Sequence, residues 1–347
     1  AAGPETGMMQ SMSQPVVPVS TEAGPAFPWE GSFSLAPSGG GPGSGGTGGD
    51  PGGGGGTGGP RPDLNDVPVQ GESNTHTGNY LTEVPIFGWP TKGDLAVDFV
   101  LYHNSKGTRT TYWGTGWASS YDVEIVGLEN GYKAVYWGDG RVITYTPNSN
   151  GYARPAGVFE WLTVNGTGWR ITTKDQIKYD FGSDGKLSAI TDRFGNTIVV
   201  TQDTIGRLSS VVDCTGRSLS LAYSSDKSVV TVSAVSGTVS RIWTVNVLLD
   251  TNDKPAEVAS IAMPSLAGVG TPARSFDYDD SGRITEEVDL RGKTWFFGYG
   301  DENKIAWLQT PDQKRTDFTY LESPDRTLIW LPVETGTTAR STFTHTY

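Results

Sequence analysis

The sequence predicts an all-β protein, assembled from repeated two-strand hairpins and preceded by an extended amino-terminal arm. Three observations carry that expectation. A unit running from Gly185-Lys186-Leu187 through Asp192 to Gly195 recurs 21 residues later, from Gly206-Arg207-Leu208 through Asp213 to Gly216. Gly and Pro together supply 68 of 347 residues (47 and 21) while only 18% are charged, a balance that favours turns and strands. No apolar residues recur at i, i+3 and i+4 over a sustained stretch, so no long amphipathic helix is expected.

The arm comprises residues 1–37, which contain Pro but neither Lys nor Arg. Within it Phe27, Trp29, Phe33 and Leu35 alternate with Pro28, Glu30, Ser32 and Ser34, the period of a strand with one apolar face over residues 27–35. The alternative is a disordered tail with chance aromatics. Residues 38–62 form a tether, with 15 glycines between positions 38 and 60. Such a tract buries nothing and reaches roughly 25 Å as a flexible coil.

Residues 63–127 form a cap-like domain. In the run Leu95-Ala96-Val97-Asp98-Phe99-Val100-Leu101, the odd positions Leu95, Val97, Phe99 and Leu101 share one strand face, and Gly114 and Gly116 permit a tight bend that seats Trp117. Residues 128–347 are read as the repeat sheet. Hairpins are expected at Tyr136–Tyr145, with Gly138-Asp139-Gly140 at the turn, and at Trp161–Ile171 around Asn165-Gly166. The stretch Val229–Val247 reads as less regular, and Ala262–Pro272 as a longer loop. The last residues, Ser341 to Tyr347, alternate again, with Phe343, His345 and Tyr347 on one face of an uncovered edge strand.

A third copy of the unit, Gly282-Arg283-Ile284 with Asp289 and Gly292, is followed by Trp295-Phe296-Phe297-Gly298-Tyr299, and a worn fourth runs from Asn303-Lys304-Ile305 to Phe318-Thr319-Tyr320. This pattern resembles the Rhs, or tyrosine-aspartate (YD), repeat family. Gly78-Asn79-Tyr80, Pro85 to Pro90, the Leu95 strand ending in Tyr102-His103-Asn104-Ser105, and Gly114-Thr115-Gly116-Trp117 before Tyr121-Asp122 are similar to the region preceding the repeats in that family, with His103 an insertion into its Tyr-Asn-Ser. The resemblance implies an antiparallel sheet of YD-repeat hairpins that spirals into a shell, often around a toxin. No toxin domain or self-cleaving core motif is seen.

Candidate chemistry is sparse. His76, His103 and His345 stand in no metal-ligand spacing, Cys214 is the only cysteine, and no nucleophile elbow or phosphate loop is present. No catalytic or cofactor-binding residue is assigned. Paired carboxylates such as Glu286-Glu287 and Asp279-Asp280 read as residues of repeat turns. Asp277, Asp279 and Ser281 stand at the first three oxygen positions of a calcium-binding loop, yet position 12 is Val288, so the metal reading is weak. Eleven Trp and fourteen Tyr could offer stacking platforms to a glycan, although aromatic cross-strand pairs are the plainer reading.

A net charge of -12 excludes a nucleic-acid partner in its ordinary basic form, and no stretch of about 18 apolar residues is present to insert into a membrane. The start at Ala1-Ala2-Gly3 reads as that of a mature exported chain, with a trimmed terminus as the alternative. Together these features lead us to expect a non-enzymatic, secreted or cell-surface structural protein. In this reading it is its own partner: the Phe27–Leu35 strand joins the edge formed by Phe343, His345 and Tyr347, in the same subunit or in the next one of a filament. The alternatives are a partial Rhs-type shell for toxin delivery and a monomeric adhesin binding glycans.

Overall fold

The computed structural model describes residues 72–149, 151–236, 238–265, 270–322, 325–332 and 342–346. No α-helix occurs among them. The strand expected at Phe27–Leu35 and the terminal Tyr347 lie outside the described residues.

The first strands are β1 (Glu72–Ser73), β2 (Tyr80–Pro90), β3 (Ala96–Asn104), β4 (Thr110–Thr111), β5 (Gly114–Thr115) and β6 (Trp117–Ser119). Strands β1, β2, β3 and β6 form a four-stranded antiparallel sheet, and β4 and β5 a short ribbon beside it. The alternation read from Leu95 onward is present, since Leu95, Val97, Phe99 and Leu101 are all buried. Gly114 (φ 117°) and Gly116 (φ 76°) make the bend, and Trp117 behind them is fully buried.

Strands β7 (Glu124–Gly127), β8 (Lys133–Tyr136), β9 (Val142–Asn148) and β10 (Gly151–Ala153) form a second four-stranded sheet. The hairpin around Gly138-Asp139-Gly140 is therefore present but belongs to this small sheet, and the long sheet begins only at Trp161.

That long sheet has 17 strands, each paired antiparallel with the next in sequence. Its first part holds β11 (Trp161–Asn165), β12 (Gly168–Thr172), β13 (Lys178–Phe181), β14 (Leu187–Thr191), β15 (Thr197–Gln202), β16 (Leu208–Val212) and β17 (Ser218–Tyr223). The middle holds β18 (Val229–Ser236), β19 (Val239–Leu249), β20 (Pro255–Ala262), β21 (Ala273–Tyr278) and β22 (Ile284–Val288). The last part is β23 (Thr294–Tyr299), β24 (Ile305–Gln309), β25 (Arg315–Glu322), β26 (Asp325–Trp330) and β27 (Thr342–Thr346).

One face of this sheet carries the core. Ile198 and Val200 of β15, Leu219 and Leu221 of β17, and Val230 and Val232 of β18 are buried, whereas Val199 between the first pair is 48% exposed. Strict alternation places these branched side chains on a single face, the arrangement that a half-covered antiparallel sheet requires. The stretch expected to be less regular, Val229–Val247, is instead an eight-pair hairpin. Its apparent irregularity came from β19, where Trp243, Val245 and Val247 keep the period only across a register shift at Asn246/Val247.

Further register shifts fall at Asp180/Phe181, Thr201/Gln202, Asp277/Tyr278 and Gly298/Tyr299. Each sits at the carboxyl end of its strand, immediately before a turn. The extra residue in a β-bulge bends the strand and increases its twist.

Candidate functional site

The repeated aspartates build the turns. Asp203, Asp213 and Asp279 each accept, on Oδ1, the backbone N–H groups two and four residues ahead. On Oδ2 each accepts the Nε–H of the arginine at the fourth position: Arg207 at 2.7 Å, Arg217 at 2.9 Å and Arg283 at 2.8 Å. A carboxylate thus replaces the missing ladder partners of the turn, and the charge of the arginine is neutralised as it does so.

The same arginines reach the tyrosines. The Arg207 guanidinium lies 4.1 Å from the Tyr223 ring centroid and that of Arg283 4.6 Å from Tyr299. The tyrosine hydroxyls donate to main-chain oxygens fifteen residues earlier, Tyr223 to Leu208 at 2.9 Å, Tyr299 to Ile284 at 3.0 Å and Tyr320 to Ile305 at 3.0 Å. Burial raises the Tyr223 and Tyr299 hydroxyls above the ordinary phenol range. Each hydroxyl therefore remains a proton donor at neutral pH.

The four-stranded sheet of β1, β2, β3 and β6 lies against the buried face, and β2 crosses it obliquely. The Gly78 carbonyl, just before β2, accepts the N–H of Ile305 at 2.9 Å. Further along, Tyr80 packs on Phe297 (centroids 4.8 Å apart) and Phe87 on Trp243 (4.7 Å). The end of β2 reaches a distant turn, where Trp89 Nε1–H donates to Asp213 Oδ2 at 2.8 Å and Arg217 donates to the Pro90 carbonyl at 2.6 Å. Aromatic side chains therefore join one sheet to another here, rather than serving chiefly as pairs between neighbouring strands.

The next residues extend this seam. Trp117 Nε1–H donates to the Tyr278 hydroxyl at 3.1 Å, which itself donates to the Val258 carbonyl at 2.6 Å. Tyr112 donates to the Ile205 carbonyl at 2.8 Å, Lys106 to the Glu302 carbonyl at 3.0 Å, and Thr327 to the Thr75 carbonyl at 2.6 Å. At the other end Lys186 pairs with Glu124 at 2.7 Å, and the Ile125 N–H donates to Gly185 O at 2.9 Å.

Two titratable groups in the seam are strongly perturbed. Burial alone would raise Asp213, but hydrogen bonds from Thr215, Trp89 and Arg217 prevail and hold its pKa at about 2. Burial depresses His103 to about 4, with its hydrogen bond to Gly282 and the charge of Asp279 offsetting only part of the shift.

The residues singled out from sequence fall elsewhere. Asp277 stands within β21 opposite Glu286, while Asp279 and Ser281 lie in the following turn, where both Asp279 oxygens already accept hydrogen bonds from Ser281 and Arg283. The three do not converge on one point as calcium ligands must, and no group of three or more His, Cys, Asp and Glu among the described residues could hold a metal ion. Glu286 and Glu287, expected at a turn, lie within β22, where Glu287 faces Arg274 at 3.3 Å. Strand β27 pairs with β26, setting Phe343 opposite Ile329 and His345 opposite Thr327. Phe27, Trp29, Phe33, Leu35 and Tyr347 are outside the described residues.

Strand order, turn chemistry and seam define an all-β repeat sheet with a smaller sheet braced against its buried face. Residues 73–145 match the family model of a domain of unknown function, DUF6531. No curated protein matches the sequence. Among solved structures, the crystal structure of TcdB2-TccC3-Cdc42 is similar at 13% identity and a TM-score of 0.27, over 61% of this chain and 14% of that one. A Photorhabdus luminescens Tc holotoxin pore with a TccC3 mutation is similar at 14% identity and a TM-score of 0.26, over 63% of this chain and 14% of that one. TcdB2-TccC3 without its hypervariable C-terminal region matches at 11% identity and a TM-score of 0.26, over 76% and 21% of the two chains. This chain thus spans about a seventh to a fifth of the solved chains it resembles.

Proposed function

We propose that this chain is a structural protein without catalytic activity, a stretch of Rhs-type shell in which the β11–β27 sheet is wall and the region from Thr75 to Ile125 is an internal brace. The reach of the brace carries the reading: its contacts run from Gly185, before β14, to Thr327 in β26. Polar side chains in the seam fix one layer on another instead of facing a cleft. The DUF6531 match over residues 73–145 and the repeated Asp and Tyr positions support the same reading. A secreted or cell-surface location belongs to this proposal and depends on it.

A second reading is favoured by the edge of β27, whose outer side pairs with no strand among the described residues. An open edge accepts a strand of matching alternation. The Phe27–Leu35 segment of another copy would provide it, giving a homopolymeric filament.

Electron microscopy of the full chain beside a version lacking residues 1–62 separates the two. Discrete particles in both samples, with no hydrolysis of a polysaccharide panel, are the outcome expected for a shell segment. Filaments that vanish on deletion would replace this reading with strand donation, and hydrolysis would overturn both.

A further inference from the structure

The turns on one side of the long sheet share a chemistry that is altered at one place. After β14, Asn196 Nδ2–H donates to Asp192 at 2.8 Å, and after β16, Arg217 Nε–H donates to Asp213 at 2.9 Å; in both the partner lies four residues beyond the aspartate. Between β22 and β23 the partner is Arg291, two residues beyond, which donates to Asp289 through Nε at 3.2 Å and Nη2 at 3.0 Å. Lys293, at the fourth position, gives Asp289 only its backbone N–H. Its ammonium is released from the usual task and forms no ion pair among the described residues.

The residue that follows departs as well. Six residues beyond the aspartate, the earlier repeats place Ile198 and Leu219, both buried. Here the position is Trp295, on the same strand face as buried Phe297 but itself partly exposed. Trp295, Arg291, Lys293, Thr310, Pro311 and Asp312 line an open depression of about 380 Å³. That is within the size range of small-molecule sites, roughly 300 to 1,000 Å³.

The local charges leave one cation over. Asp289 is taken by Arg291, Asp312 by Lys314 at 2.7 Å, and Glu287, opposite Trp295 in the ladder, by Arg274 at 3.3 Å. An indole face and a proline beside a lone ammonium suit a ring that presents C–H groups on one side and carries a carboxylate. We propose that the Trp295–Lys293 depression binds a uronic acid unit of an acidic polysaccharide, the pyranose ring stacking on Trp295 and its carboxylate meeting Lys293. This site is independent of the shell reading, because it requires neither assembly nor cargo.

Calorimetric titration of the full chain with trigalacturonate and with its methyl ester tests the assignment. Trigalacturonate should bind at least tenfold more tightly than the ester, which keeps the rings and loses the charges. Lys293→Gln, at an exposed position, should erase that difference, and Trp295→Ala should remove binding of both. No binding by the unaltered protein at millimolar ligand, equal binding of acid and ester, or full affinity and preference in Lys293→Gln would each overturn it.

Discussion

His103 gives its Nε2–H to the carbonyl oxygen of Gly282 at 3.1 Å, and its other ring nitrogen, Nδ1, is buried without a hydrogen-bond partner. The ring touches Trp117 from one sheet and Tyr278 from the other, with centroids 5.1 and 6.0 Å away. It is thus a neutral peg in the seam, and a second proton would have no acceptor.

The first prediction concerns acid. Burial lowers the folded pKa of His103 from 6.5 to about 4, so the unfolded chain protonates first as the pH falls. Its contribution is complete above about pH 6.5, declines down to about pH 4 and then levels off, a loss on the order of 3 kcal/mol. The charged groups nearby are Asp279, held by Arg283, and Glu257, whose carboxylate lies beside Gly282. His103→Gln keeps a donor and does not titrate. Urea midpoints between pH 7 and pH 4 should therefore fall less steeply in the variant than in the parent, and parallel profiles would refute the assignment.

Asp213 governs a different window. Its side chain is fully buried, and its folded pKa of about 2 lies below the ordinary 3.8, so its contribution is present above pH 4 and lost as the pH falls toward 2. Asp213→Asn should cost about 2 to 4 kcal/mol at pH 7, since Arg217 would be left without its carboxylate. The difference from the parent should narrow only below pH 4. A double-mutant cycle with Trp89→Phe should give a coupling of about 0.5 to 3 kcal/mol, as residues in one hydrogen-bond network do.

Two glycines should respond unequally to alanine. A Cβ on Gly114 would lie 2.2 Å from the Ala256 carbonyl oxygen, whereas one on Gly216 would meet nothing within 4 Å. Both have positive φ, 117° and 86°. Gly216→Ala should cost about 1 to 3 kcal/mol from backbone strain alone. Gly114→Ala must in addition push the small sheet off β20, and hydrogen exchange should show deprotection of β3 and β6 that Gly216→Ala does not produce.

The three tyrosine hydroxyls offer a test of independence. Tyr223→Phe, Tyr299→Phe and Tyr320→Phe each remove one hydrogen bond to a carbonyl and should cost about 1 kcal/mol apiece. Sites in separate repeats share no partner, so the triple variant should lose close to the sum in chemical denaturation.

The repeat sheet was legible in sequence because its determinants are local. An aspartate and a glycine define each turn within five residues, and alternation declares the buried face of each strand. The seam was not, because its partners are remote: nothing in the surroundings of Trp89 indicates Asp213, which is 124 positions away. His103 was noted as an insertion in a family pattern, but its role emerges only where Gly282 closes over it. Glu286 and Glu287 were placed at a turn because acidic pairs favour turns, and the burial of Glu287 beside Arg274 outweighed that preference. The break in period near Val247 hid a regular hairpin, since a bulge moves side chains from one face to the other.

Those bulges have a further consequence. Phe181 and Gln202 stand one 21-residue step apart, and so do Tyr278 and Tyr299, each at a register shift before its turn. A bend delivered once per unit at the same place acts like the pitch of a screw thread. Genetic gain or loss of one unit would advance everything downstream by a fixed rotation and leave each unit's own geometry intact, so the size of such a wall can evolve in whole steps, by counting rather than by reshaping.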